Sequence, residues 1–222
     1  MQSAEGTLVV FARAPVPGEV KTRLIPLLGA QAAADLYRQL LEYAVATACR
    51  STFSTIELWC TPNPDHPVFE KLRKTYSVSL HPQLGTDLGV RMHTALREAL
   101  SRSFFAAVIG TDSPSLTIDD VNEAYRALSS GYDAVLGPAE DGGYVLIGVR
   151  QVCESLFAGI IWGGDAVARE TRARLQALNW RWHELPPRWD VDLPEDVERL
   201  YRFSIFQNGA PTAPETAPKD RR

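Results

Sequence analysis

Three basic residues fall in one short stretch, Ala12-Arg13-Ala14-Pro15-Val16-Pro17-Gly18-Glu19-Val20-Lys21-Thr22-Arg23-Leu24. Two prolines stiffen this stretch and Gly18 hinges it. Arg13, Lys21 and Arg23 together suit a phosphate chain, the lysine as a mobile point charge and the arginines as bidentate forks. The spacing is neither GxxxxGK[ST] nor GxGxxG, and taken alone it serves equally well as a solvated basic loop. A carboxylate stands at Asp112 in Gly110-Thr111-Asp112-Ser113-Pro114. Magnesium takes one or two carboxylates plus substrate phosphates and keeps its other waters. Asp-Ser-Pro is also ordinary turn chemistry.

Further candidates rest on the same logic. Asp141 lies in Gly137-Pro138-Ala139-Glu140-Asp141-Gly142-Gly143-Tyr144. Asp-Gly-Gly between apolar runs signals a hairpin, and its functional reading is close backbone approach to a substrate, with Asp141 receiving sugar hydroxyls or an amine. Asp192, in Trp189-Asp190-Val191-Asp192-Leu193-Pro194-Glu195-Asp196, precedes a proline-started helix. It is an N-cap, a second metal carboxylate opposite Asp112, or both if one carboxylate oxygen is free. Gln83 to Met92 is punctuated by Gly85 and Gly89 and enters a helix, so Gly89 and Arg91 are candidates for binding an anion or a base edge, with Asp87 as a plain helix cap. His66, His81, His93 and His183 have no HxH or HExxH spacing, which argues against a histidine zinc site. No GxSxG elbow is present.

These residues need elements to bring them together. Apolar runs of strand length alternate with stretches of helical period. Strands are expected over 7–11, 55–59, 78–80, 104–109, 133–136, 144–149 and 180–185. Helices are expected over 31–49, 68–76, 88–100, 117–128, 166–178 and 194–203, that at 117 opening on a Thr-x-x-Asp cap signal. The alternation implies an α/β fold, a three-layer α/β/α sandwich on a mostly parallel sheet. Ligands of such sheets bind beyond the carboxyl ends of the strands, where the basic stretch and Asp112 fall. One domain is expected over 1–207, then a disordered tail over 208–222 that is rich in proline and lacks large apolar residues.

The composition fits. The chain has 222 residues, 45% of them hydrophobic and 23% charged, with a net charge of −4. That balance argues against a general nucleic-acid binder. Three cysteines without CxxC spacing argue against a disulfide scaffold and point to a reducing cytoplasm. No signal peptide and no membrane span is expected.

Five segments, FARAPVPGEVKTRL, QLGTDLGVRM, GTDSPSL, GPAEDGGYVLIG and WDVDLPEDVERL, occur in that order. Together they resemble the selenodomain-associated transferases, a GT-A-type glycosyltransferase-like family of bacteria. More distantly the chain is similar to sugar nucleotidyltransferases and to the guanylyltransferase of coenzyme F420 synthesis. The resemblance implies a GT-A-like, Rossmann-type nucleotide-diphospho-sugar transferase fold. It implies that Arg13, Lys21 and Arg23 grip donor phosphates and that Asp112 binds Mg²⁺ or Mn²⁺. Asp192 matches the second metal carboxylate that the Val-Asp-x-Pro-Glu-Asp segment of sialic- and Kdo-type cytidylyltransferases supplies. The chain departs from those groups in lacking the GxG turn and in having one carboxylate where many glycosyltransferases carry Asp-x-Asp.

The function expected is metal-dependent transfer from a small-molecule nucleotide-activated donor, an NDP-sugar or an NTP, to an acceptor that the residues do not name. Lys21, Arg23, Asp112 and Asp141 would carry the chemistry, with Arg13, Gly18, Gly89 and Arg91 helping to bind the nucleotide. The alternatives are a nucleotidyltransferase that releases pyrophosphate and a nucleotide-binding partner protein without turnover. Donor base, acceptor and oligomeric state are not readable from the residues.

Overall fold

The structure is a computed structural model that describes residues 6–202; the tail expected over 208–222 lies outside the described residues. Chain order gives β1 (Thr7–Arg13), a 3-10 turn (Thr22–Leu24), α1 (Ile25–Leu28), α2 (Ala30–Cys49), β2 (Thr55–Thr61), α3 (Pro67–Tyr76) and β3 (Ser79–Pro82). It continues with α4 (Leu88–Leu100), β4 (Ala106–Ile109), α5 (Ile118–Ser129), β5 (Ala134–Pro138), β6 (Tyr144–Val149), a second 3-10 turn (Glu154–Leu156), α6 (Val167–Ala177), β7 (Trp182–Glu184) and α7 (Pro194–Arg202). The strands form one seven-stranded sheet in the order β3-β2-β1-β4-β6-β5-β7. All pairs are parallel except those of β6, which runs antiparallel to both β4 and β5.

Side chains alternate across a strand, and this splits the core in two. Leu8, Val10, Ala107 and Ile109 face a cluster that includes Leu41, Val45, Val121 and Leu128 from α2 and α5. Val9, Ala106 and Val108 face Met92, Leu96 and Leu175 from α4 and α6. Strands buried on both faces read as continuous apolar runs, which makes the expected three-layer α/β architecture the observed one.

The boundaries differ locally. Strand β4 starts at Ala106 and not at 104: Phe104 is exposed, and Phe105 turns edge-on to Phe53 and Tyr125. Strand β3 starts one residue late because Ser77 is left-handed, with φ of 56°. The Thr117 cap signal holds as a full capping box with Asp120. No helix among the described residues is long and apolar enough to cross a membrane.

Strand direction brings three loops together. Parallel β1 and β4 end side by side, with Val10 opposite Ile109. Because β6 runs backwards between β4 and β5, its first residues reach that same edge, and the Gly110 N–H donates to Val145 O at 3.3 Å. The loops after β1 and β4 and the β5–β6 hairpin therefore meet at one sheet edge.

Candidate active site

A cavity of about 560 Å³ opens at this edge. Its cationic side is built by Val20 and Leu24, which are both buried and bracket Lys21. Val20 packs with Ala34 and Tyr37. Leu24 packs with Leu40, Trp189 and Val191. Apolar burial on either side leaves Lys21 facing inward, in a left-handed conformation with φ of 46°. Such backbone conformations cost non-glycine residues of order 1–3 kcal/mol and persist where the surroundings fix them.

The Lys21 side chain is only 5% exposed. Its Nζ donates to Asp112 Oδ2 at 3.1 Å and lies 3.9 Å from Asp192 Oδ1. Arg23, 66% exposed, bonds the other oxygen of Asp192. Burial opposes charge on Lys21, but the carboxylates of Asp112, Asp192 and Asp190 together outweigh it and hold the ammonium above its ordinary range. Burial likewise acts to raise Asp112, yet Lys21 holds that carboxyl below its ordinary range. The pair is therefore charged at neutral pH.

The segment that carries Asp192 is stitched to the loop after β4. Val191 N–H donates to Asp112 O at 2.8 Å. Ser113 Oγ and Ser115 Oγ each donate to Trp189 O at 2.7 Å. Arg188 forms a two-pronged pair with Asp120. The N-cap role read for Asp192 is not seen: its carboxylate pairs with Lys21 and Arg23, and it is Asp196 that accepts from the Asp192 and Leu193 N–H groups, at 2.9 and 2.7 Å.

Asp190, which no motif or residue spacing singled out, also lines the cavity. Burial and the negative charges of Asp112 and Asp141 push its carboxyl up to about 6. The signal that could have found it is its offset from Asp192, since residues i and i+2 of an extended segment share a side.

Of the other candidate residues, Arg13 and Asp141 line the cavity. Arg13 N–H donates to Tyr37 Oη at 2.9 Å, and that hydroxyl pairs with Thr111 Oγ1 at 2.9 Å. Asp141 Oδ1 accepts from Gly143 N–H at 2.9 Å. Gly18, Gly89 and Arg91 are not among the lining residues. Gly18 has φ of +87° and open space around it. A Cβ on Gly89 would come within 2.7 Å of the Trp162 ring, so this glycine lets Trp162 pack on α4. Arg91 Nε donates to Gly85 O at 3.0 Å and closes its own loop, while Asp87 caps α4 through Val90 N–H. The close backbone approach expected near Asp141 occurs at Gly142, but its partner is the chain itself: a Cβ there would lie 2.1 Å from Asp165 O.

The remaining wall is apolar and aromatic, with Phe11, Leu88, Met92, Tyr144 and Trp162. Tyr144 and Trp162 stand perpendicular with ring centroids 6.2 Å apart. Gln83 Nε2 bridges Ala12 O and Trp59 O at 3.1 and 2.8 Å, tying the β3–α4 loop to the ends of β1 and β2. Among the described residues no three His, Cys, Asp or Glu side chains converge as a metal-binding group. Asp112 and Asp192 instead share the Lys21 ammonium.

The bacterial family described as "Uncharacterized protein conserved in bacteria (DUF2064)" matches residues 44–164. A search among curated proteins gave no match. Among solved structures, a Desulfovibrio desulfuricans G20 protein, provisionally named a nucleotide-diphospho-sugar transferase, is 32% identical. It superposes with a TM-score of 0.83 over 92% of this chain and 90% of its own. The 4-diphosphocytidyl-2C-methyl-D-erythritol synthase of Anaerococcus prevotii DSM 20548 shares the fold at 10% identity, with a TM-score of 0.62 over 90% of this chain and 98% of its own. Rv0371C of Mycobacterium tuberculosis H37Rv, solved in complex with manganese, does so at 15% identity, with a TM-score of 0.55 over 89% and 98%.

Proposed function

The chain belongs to the bacterial DUF2064 family, and we propose that it is a metal-dependent transferase acting on a nucleotide-activated donor. The observation that carries this reading is the Lys21 ammonium, nearly fully buried between Asp112 and Asp192 at the sheet edge, with Arg23 beside it. A buried lysine with two partly exposed carboxylates and an arginine is a charge-dense site open on one side. The name of the Desulfovibrio relative supports a nucleotide-diphospho-sugar donor. The finer assignment to the selenodomain-associated transferases rests on the five sequence segments.

Donor phosphates fit the open side, where Lys21, Arg23 and Arg13 stabilise the charge that develops on the leaving group. Asp112 and Asp192 offer carboxylate oxygens of the kind that hold Mg²⁺ or Mn²⁺ together with phosphate oxygens, and a neighbour of the same fold that is solved with manganese supports a divalent metal. Such a metal would neutralise phosphate charge when bound. In the transfer, an acceptor hydroxyl oxygen forms the new bond to the donor's electrophilic carbon. The bond from that carbon to the phosphate oxygen breaks, and its electron pair stays on the leaving nucleoside diphosphate. Asp141, oriented by the Gly143 amide, takes the hydroxyl proton.

A second reading has the donor an NTP, with attack at phosphorus and release of pyrophosphate. The observation that favours it is the Asp192 carboxylate turned toward Lys21 and away from the helix it precedes. Thermal shift of the full chain with NTPs, NDP-sugars and NDPs, with and without Mn²⁺, tests both readings. A ligand at 100 times its dissociation constant adds about 2.7 kcal/mol of stability. The expected result is a metal-enhanced shift that Asp112→Asn abolishes; the absence of any nucleotide shift overturns the proposal.

A further inference from the structure

We propose that the acceptor sharing this cavity is an uncharged or amine-bearing polyhydroxylated molecule, a sugar or amino sugar, and not a phosphate ester; this rests on the transferase reading above. The argument is the partition of charge within one cavity. Among the described lining residues the cations are Arg13, Lys21 and Arg23, and all three come from the end of β1 and the loop after it. The facing wall comes from the β5–β6 hairpin, the segment before α6 and the segment before α7. It contributes Asp141, Asp190, Tyr144 and Trp162, together with Asp192, which is turned toward Lys21 and Arg23; that makes three carboxylates and no cation.

Arg150 and Arg169, near that wall in sequence, do not line the cavity, and three further basic residues are engaged elsewhere. Arg188 is paired with Asp120. Arg199 is paired with Glu140 and lies 4.5 Å above the Trp189 ring. Arg174 donates to Leu156 O and lies by Glu170. An acceptor phosphate seated on this wall would meet the Asp141 and Asp190 carboxylates, while Lys21 and Arg23 are already paired with Asp112 and Asp192, which costs affinity.

A polyol meets complementary chemistry there. Carboxylates accept hydrogen bonds from hydroxyl or ammonium groups. Aromatic faces cover the apolar face of a sugar ring, and the perpendicular Tyr144 and Trp162 form a corner. The wall is also braced. Gly142 O accepts from Ala168 N–H at 2.9 Å, and Gly142 lies against the Asp165 backbone, which fixes the hairpin to the segment carrying Trp162. A preorganised wall lowers the cost of binding.

The test is calorimetry on the full chain, with Mn²⁺ and the nucleoside diphosphate of largest thermal shift held saturating so that the phosphate side is occupied. A panel of hexoses, hexosamines and hexose phosphates is then titrated. The expected result is that at least one hexose or hexosamine binds ten-fold or more tighter than its own phosphate ester. Asp141→Asn should narrow that gap. Equal or tighter binding of the phosphate esters, or no binding of any hexose or hexosamine, overturns the proposal. If no nucleotide shifts the melting temperature, the transferase reading itself has failed at the first step, before the acceptor is involved. The wild-type panel decides the matter alone if Asp141→Asn does not fold.

Discussion

Two ion-pair clusters join the loop after β4 and helix α5 to the segment before α7, and they are built to opposite ends. In the inner one, Asp120 accepts from Thr117 N–H, Thr117 Oγ1, Arg188 Nε and Arg188 Nη2. Its carboxylate is 5% exposed and fully provided with donors. In the outer one, Asp112 and Asp192 share Lys21 while 42% and 39% exposed, and Asp190 stands close by with its carboxyl pushed up. The same two stretches of chain thus carry a saturated, buried pair that holds them together and a partly exposed one, joined by Lys21 and Arg23, that is open to the cavity. The contrast teaches where to look for a ligand: buried charge with all its partners stabilises, and paired charge left open to a cavity is placed to meet one.

The largest effect expected is on the inner pair. Asp120→Ala leaves Arg188 without its partner, and breaking a buried pair costs about 3–5 kcal/mol. Urea unfolding should show that loss. A loss below about 1 kcal/mol, the range of surface pairs, would make the two clusters alike and break the comparison.

Removing Lys21 should act on binding more than on folding. Lys21→Ala should weaken nucleoside di- or triphosphate binding by about 1.5–3 kcal/mol, the range for hydrogen bonds to charged groups, and monophosphate binding by less. Its stability loss should be smaller than that of Asp120→Ala, because Asp112 and Asp192 are exposed enough to hydrate. Titration calorimetry and urea unfolding of the same variant separate the two effects; an equal fall for mono-, di- and triphosphate would show that Lys21 is not a phosphate contact.

Acid should reach both clusters. Burial acts to raise the Asp120 carboxyl, and the Arg188 and Thr117 bonds outweigh it and hold it below the ordinary range. A depressed folded value means the stabilisation is present above the unfolded pKa, about 3.9 for aspartate, and is lost as pH falls through the folded value. Unfolding free energy should therefore drop steeply below about pH 4. Asp120→Ala should flatten that drop, and an unchanged slope in the variant would sever it from the inner pair.

The smallest effect on stability is expected at Arg23. Its guanidinium is mostly exposed, so Arg23→Ala should change stability by less than about 1 kcal/mol, while di- and triphosphate affinity still falls. A larger stability loss would place Arg23 with the inner, structural pair.

By itself the sequence determined the α/β alternation, the Thr117 capping box, and the delivery of Arg13, Lys21 and Asp112 to one sheet edge. Strand runs, cap spacing and the rule that parallel strands present their carboxyl ends to ligands are local patterns, and local patterns are written in consecutive residues. It could not decide whether Asp192 caps a helix or stands with Asp112, since the carboxylate suits both; the tertiary structure decided it by placing Lys21 and Arg23 against that carboxylate. Nor could it tell that Gly89 is a seat for Trp162, that Gly142 touches Asp165, or that Arg91 closes its own loop, because each partner lies on another segment or across a turn that spacing does not specify. Asp190 was half legible, two residues before Asp192 on the same side of an extended segment. Its raised carboxyl depends on burial and on Asp112 and Asp141, 78 and 49 positions away in the sequence. Electrostatic environment is a sum over neighbours in space, and only the fold determines who those neighbours are.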